Sequence, residues 1–354
     1  MSFRLLDRLV TDLLVAAGTQ ASDADDVARV LGWAERRGLH PQGCVWVDIL
    51  TQRLVAGTIR SPAELRLLAD RPAAVALDAG DGLGQVAGHR AVDLAAERAA
   101  ANGIGLVTVR ASHHFGPAGF YADALARRGL VAVVATNAFP KVAPPGGTTR
   151  GLGTNPLAIG APIADESPLV ADVSTGAAAG SKVRAAIATG SQLPDGQLLD
   201  ADGVPTTDPR ALGAGGVMLP AGGHKGFAFG LLVELLTSVL GGGAHGPELG
   251  SMFDVATPAG TSHVVLAIAP HDGGVPVRLA SLAAWLRSTG SEVRLPGQRA
   301  AAIAERADEI DLPEASIEAL RTAAARVDVE LPEPLIARPR SSPIDTAQGE
   351  QPSP

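Results

Sequence analysis

The chain has 354 residues, 46% of them hydrophobic but only 3% aromatic, so any core must be built from Ala, Val and Leu. The formal net charge is −8 and no basic stripe is present, which excludes nucleic acid as the main partner. A single cysteine, Cys44, excludes an intramolecular disulfide.

Residues 3–17 place Arg4, Asp7, Arg8 and Asp12 among apolar residues and predict an amphipathic helix, not a signal peptide. Helical spacing recurs at 23–37 and 44–56, with Ser22 and Asp25 as a partial capping signal for the second helix. From about residue 73 the texture changes. Strands are predicted at 73–79, 104–110, 130–137, 156–162, 167–174 and 262–269, and helices at 89–102, 117–129, 176–189 and 225–240. Strands alternating with helices imply an α/β sheet with helices packed on it. The most apolar stretch, 225–243, is broken by Glu234 and ends in glycines, so it is too interrupted for a membrane span. A cytoplasmic location is expected. The segment 335–354 is rich in Pro and Ser with little to bury and is expected to be disordered.

The sequence GLGQVA (82–87) matches G-x-G-x-x-A between a strand and a helix. A dinucleotide fingerprint also wants an acid about 20 residues on, whereas the next strand ends in Arg110, Ala111 and Ser112. A tight glycine connection is the better reading. Four loops concentrate polar chemistry. ASHHFGPAG (111–119) sets His113 and His114 after a strand, where ligands of α/β sheets bind. In the aperiodic loop 141–156, Thr154 and Asn155 offer hydrogen bonds. In 171–182, Asp172, Ser174 and Lys182 suit ribose or phosphate, with Ser174 as a plain helix N-cap the alternative. In 219–230, His224 and Lys225 stand at a helix N-terminus, which favours an anion. Metal ligation is not expected: no H-x-x-x-H or paired-Cys spacing exists, and DADGVPTTD (200–208) lacks the Glu that a calcium loop needs.

Together the stretches RLVAGTI (53–59), DAGDGLGQVAG (78–88), SHHFGPAGFYA (112–122), TNAFPKVAPPGG (136–147), LGTNPLAIGAP (152–162), LDADGVPTTDP (199–209), GGHKGFAFGLLVELL (222–236) and RLPGQR (294–299) resemble the malate/L-lactate dehydrogenase family. This is the family unrelated to Rossmann-type lactate and malate dehydrogenases. It includes ureidoglycolate dehydrogenases, diketogulonate reductases and Δ1-piperideine-2-carboxylate reductases. The resemblance spans most of 3–325. It implies a family-specific α/β fold, with a non-Rossmann NAD(P)-binding sheet domain over 73–272. A helical domain would form from both chain ends, 1–72 packing with 273–330. It also implies NADH or NADPH as cofactor, a small-molecule substrate and a homodimer. Cofactor contacts would fall on Ser112, His113, Phe115 and Gly116, on Asp172, Ser174 and Lys182, on His224 and Lys225, and on Pro296, Gly297 and Arg299. Thr154 and Asn155 would lie in the substrate region, with His114 facing nicotinamide and substrate.

The chain departs from the family where members read R-G-H-D-S-H-G-V-x-R. Here Arg37, Gly38, Leu39, His40, Pro41, Gln42, Gly43, Cys44, Val45 and Trp46 occupy those places. The Ser-His proton donor becomes Pro41-Gln42, and the substrate-facing arginine becomes Trp46. No Asp or Glu lies between 173 and 194, where the family sometimes places a charge-relay acid. Gln42 does not titrate near neutrality and serves only as a hydrogen-bond donor. Trp46 offers a stacking wall in place of a bidentate guanidinium. The expected substrate is therefore larger, less anionic or aromatic compared with a simple 2-keto acid. His114 is the favoured acid or substrate orienter. His40 is a second candidate, with structural hydrogen bonding as its alternative. Two rival expectations are a catalytically decayed pseudoenzyme that binds cofactor, and covalent chemistry at Cys44, which is otherwise a small buried apolar residue.

Overall fold

The computed structural model describes residues 1–306 and 309–336. Of the segment expected to be disordered, 337–354 lies outside the described residues. Among the described residues are ten strands: β1 (Arg66–Arg71), β2 (Ala74–Asp78), β3 (Ile104–Ser112), β4 (Val131–Thr136), β5 (Leu157–Ala161), β6 (Leu169–Val173), the short β7 (Leu198–Leu199), β8 (Pro205–Thr206) and β9 (Val217–Met218), and β10 (Thr261–Ile268). The principal helices are α1 (Phe3–Ala16), α2 (Ala21–Arg36), α3 (Val47–Val55), α4 (Gly84–Asn102), α5 (Ala118–Ala126), α6 (Gly180–Thr189), α7 (His224–Glu234), α8 (Val275–Ser288), α9 (Gln298–Arg306) and α10 (Glu314–Val327).

Seven strands form one sheet in the order β1-β2-β3-β10-β4-β5-β6. Only β2 and β3 run parallel, joined through α4; every other pair is antiparallel. This is an α/β fold, but not a doubly wound parallel sheet. Side chains alternate across the sheet. Val265 and Ala267 face α4 and α5 together with Val107, Val109 and Val134. Val264 and Ala135 face Val233 of α7 on the other side. Small residues let the layers close. A Cβ on Gly105 would strike the Ala95 carbonyl at 2.1 Å, and one on Gly160 the Ala122 carbonyl at 2.4 Å.

A second core joins the two ends of the chain. Leu6, Leu13 and Leu14 of α1, Leu31 of α2 and Leu50 of α3 are buried with Ile317, Leu320 and Ala324 of α10. Each buried Leu contributes roughly 1.5–3 kcal/mol of transfer free energy. The capping expectation fails here. Helix α2 begins at Ala21 after Gln20, so Ser22 lies inside the first turn, and Gln20 Nε2 donates to Asp23 Oδ1 at 2.8 Å. Strand β1 was also not foreseen. Its residues RLLADR are all exposed, as on a charged sheet edge, and show no buried alternation.

Candidate active site

Strand β3 ends at the segment singled out in the sequence, and most of that segment turns inward. Ser112 Oγ and Thr136 Oγ1 each lie 2.8 Å from a ring nitrogen of buried His263, and Phe115 stacks on that imidazole at 4.2 Å. His113 is fully buried, with the backbone of Thr58 and Asp81 beside its ring. Its carbonyl lies 2.2 Å from where a Cβ on Gly84 would sit, so that glycine of GLGQVA serves close packing. Gly116 (φ 86°) meets Val30 in the same way, at 2.5 Å from a built Cβ. The side chains of Ser112, His113 and Phe115 are therefore core groups. They are not exposed cofactor contacts, which corrects the expectation for those three. Only the His114 ring turns out, stacking on Trp46 with centroids 3.8 Å apart.

Trp46 is set by its own turn, with Nε1 donating to the Pro41 carbonyl at 3.1 Å. Buried Glu35 organises that turn. It accepts from Cys44 N at 2.7 Å and Ser316 Oγ at 3.1 Å, and its second oxygen lies 2.5 Å from His40 Nδ1. The hydrogen bond to Glu35 raises the His40 pKa and commits Nδ1 of this imidazole to that carboxylate. Cys44 is fully buried, and burial with Glu35 alongside pushes its thiol well up. That removes covalent chemistry at Cys44. Gln42 is half-buried, and its Oε1 has no partner among the described residues.

The opposite wall holds three residues that sequence reasoning did not assign: Lys141, Arg184 and Phe253. Phe253 stacks near Trp46 at 6.0 Å. Arg184 Cζ lies 5.4 Å from the Trp46 ring and 5.5 Å from Phe253, and Lys141 Nζ lies 5.9 Å from Phe253. The Phe253 loop is pinned from beneath by Arg53. Its fully buried guanidinium donates to the carbonyls of Met252 (3.3 Å), Asp254 (2.5 Å) and Thr257 (2.6 Å). Desolvation, then Arg184 and Arg150, lower the Lys141 amine to about 8. Desolvation, then the Arg184 and Lys141 charges, hold His114 at about 3. His114 is therefore neutral at pH 7 and is not the general acid. Its Nδ1 has no hydrogen-bond partner among the described residues.

The other expected residues divide between the core, a cleft and open surface. Asn155 is fully buried, accepting from Ala138 N at 3.1 Å and donating to Gly230 O at 3.0 Å and Glu234 Oε2 at 2.8 Å. It ties α7 to the loop and cannot reach a substrate. The Thr154 carbonyl accepts from Ser174 Oγ at 3.4 Å, and Ser174 Oγ accepts from Gly176 N at 3.1 Å. Ser174 therefore closes a turn and does not cap α6, whose N-cap is Ala179. Lys182 is exposed; Arg184, two positions on, is the α6 cation at the site. His224 and Lys225 begin α7 and are exposed. Asp172, Gly297 and Arg299 do come together, lining a cleft of about 450 Å³ with Trp33, Arg37 and Asp123. Pro296 is exposed beside it. Asp172 Oδ2 accepts from Gly119 N at 2.8 Å, so the segment from His114 to Gly119 joins the aromatic cluster to this cleft.

Known proteins share this sequence and architecture. The (2R)-3-sulfolactate dehydrogenase (NADP(+)) of Chromohalobacter salexigens is 37% identical over 326 residues, 91% of this chain and 97% of that protein. The solved Δ1-piperideine-2-carboxylate reductase of Pseudomonas syringae pv. tomato superposes with a TM-score of 0.86 at 34% identity, covering 92% of this chain and 99% of that one. The sulfolactate dehydrogenase of Methanocaldococcus jannaschii superposes at 0.85 with 27% identity, covering 93% and 97%. With residues 1–321 also matching the family described as malate/L-lactate dehydrogenase, the chain belongs to that family.

Proposed function

We propose that this protein is an NAD(P)H-dependent oxidoreductase that reduces a C=O or C=N bond, with Lys141 as the proton donor. One observation carries the proposal. An amine held near pKa 8 lies beside a neutral imidazole, over an aromatic floor, where the sheet delivers its one outward-facing histidine. A donor with a pKa near the working pH is what proton transfer to a reduced substrate needs. The cleft at Asp172, Gly297 and Arg299 is within the size range of ligand pockets, and its mix of an indole, several guanidinium groups and two carboxylates fits part of a dinucleotide. When bound, the reduced nicotinamide supplies the hydride. His114 orients the acceptor, Gln42 donates a hydrogen bond to its heteroatom, Lys141 gives the proton, and Trp46 with Phe253 excludes water.

Trp46 by itself argues for a substrate less anionic than a 2-keto acid. The convergence of Lys141 and Arg184 argues the other way, and the relatives' names each carry a small acid. An anionic substrate is the better reading. The expected result is a rise in melting temperature with NADH or NADPH, and oxidation of that cofactor in the presence of a 2-oxo acid or a cyclic imino acid. No thermal response to either cofactor removes the proposal. Binding without turnover across such a panel transfers support to the decayed pseudoenzyme, the reading that Pro41-Gln42 favours.

A homodimer belongs to the same proposal. Phe229, Leu232, Leu235, Val239 and Leu240 are exposed at helical spacing along α7 and the turn that continues it. Light scattering is expected to give twice the chain mass, and Leu232→Asp with Val239→Asp to give the monomer. A monomeric wild type refutes it. A cytoplasmic setting goes with these assignments, since the single cysteine gains nothing from an oxidising compartment.

A further inference from the structure

Arg184 and Lys141 are cations without a counter-ion. Neither makes an ion pair or a hydrogen bond to a carboxylate among the described residues, and desolvation is the one influence lowering the Arg184 pKa. The buried acid of the neighbouring turn, Glu35, is already committed to His40, Cys44 and Ser316. The two cations border one small volume. Arg184 Nη1 and Lys141 Nζ lie 3.7 and 3.9 Å from the point a Cβ on Gly180 would occupy. Gathering like charges in a half-buried site opposes folding unless an anion joins them. Contacts of a guanidinium with aromatic rings at more than 5 Å are weak and leave the approach of Lys141 unexplained.

We propose that Arg184 is the specificity-determining residue that grips the acidic group of the substrate, a carboxylate or sulfonate adjacent to the carbon being reduced. This rests on the oxidoreductase reading above. A planar guanidinium binds such a group through two parallel hydrogen bonds, and α6 delivers it over the face of Trp46. Position 46 itself, on the opposite wall, supplies an indole and no charge. With the acid on Arg184, the neighbouring carbonyl or imine atom falls toward Lys141, so one cation binds and the other gives the proton. The groups facing Lys141 are Arg184 of α6, Arg150 of its own loop and the His114 ring.

The test titrates wild type, Arg184→Met and Arg184→Lys with acetate and with methanesulfonate in the presence of NADPH, reading the thermal midpoint. It then assays pyruvate against methyl pyruvate. Wild type is expected to be stabilised by at least one anion, the stronger response telling carboxylate from sulfonate. Arg184→Met loses the response and Arg184→Lys recovers part of it. For pyruvate, KM rises about ten- to hundredfold in Arg184→Met with a smaller change in kcat, while the uncharged ester is affected less than threefold, about the scatter of a neutral contact. The basic limb of the kcat/KM profile also moves to higher pH in Arg184→Met, because Lys141 loses its closest repelling charge. An unresponsive wild type, an unchanged anion titration in Arg184→Met, or equal losses for acid and ester overturns the assignment. Failure of the oxidoreductase reading looks different: no probe is turned over by wild type, and the anion titration still decides the role of Arg184.

Discussion

Lys141→Met is expected to lower kcat for reduction by about a hundred- to ten-thousandfold, the usual contribution of a positioned general acid. NADH or NADPH should still raise the melting temperature as it does in wild type. The reason lies in how few proton sources surround the floor of the site. Gln42 does not titrate, desolvation and then two nearby cations keep His114 neutral, and Nδ1 of His40 is committed to Glu35. Lys141 alone combines nearness with a pKa of about 8. Its proton must be present at the start of reduction, so wild-type kcat/KM should fall as pH rises through that value. Methionine removes a cation that stands against Arg184, so the variant should be no less stable than wild type; a large loss of activity is then not a loss of fold. Lys141→Arg keeps the charge but does not release a proton near neutrality, and should be as inactive as Lys141→Met. Activity within tenfold of wild type in Lys141→Met would assign the proton elsewhere.

The sheet and its helices were legible because strands of Val and Ala alternate with helical spacing, and the bounds at β2, β4 and β10 fall within a residue or two of expectation. The site was legible only in part, for geometric reasons. His113 and His114 are adjacent in an extended segment, so their rings point to opposite sides, one into the core and one to the site. Lys182 and Arg184 are separated by about 200° around their helix, so selecting one excluded the other. Nothing local marked Arg184 as the inward one. Lys141 opens a loop that continues as Val, Ala, Pro, Pro, Gly and Gly, where a lysine reads as solvated. Its burial is decided by Phe253 and Arg184, far away in the chain. Asn155 was a misplaced substrate contact for the converse reason. A polar side chain in a glycine-rich loop looks available until α7 brings Glu234 to it. The substitution of Trp46 for arginine pointed to a lost charge, and only the three-dimensional structure shows a guanidinium entering the same space from α6.

Stability is expected to fall by about 3 kcal/mol between pH 6.5 and pH 5 from two buried histidines alone. His113 and His263 are both fully inaccessible, and desolvation first of all lowers them to about 4 and about 3. In the unfolded chain each titrates near 6.5. Between those values the unfolded state binds protons that the folded state refuses, so stability rises with pH across the window and is lost as pH falls. Each group contributes up to about 1.4 kcal/mol per pH unit. For His263 the local bonds explain why the neutral form is kept. Thr136 Oγ1 donates to backbone carbonyls of Asn137 and Ser262 at 2.9 and 3.0 Å, so it accepts from Nδ1–H, leaving Nε2 to accept from Ser112. A second proton would have to enter a ring stacked on Phe115 with no carboxylate among its contacts. His40 runs in the opposite sense, because Glu35 raises it, but it is partly exposed and single. Urea unfolding at pH 7.5, 6.5 and 5.5 should therefore show a falling midpoint at constant slope, while a flat midpoint would refute the buried neutral pair. The same linkage separates the two arms of any activity profile. The acid arm should track the urea midpoint and respond to His263→Gln. The basic arm should follow Lys141 and respond to Arg184→Met, with the midpoint no lower than in wild type.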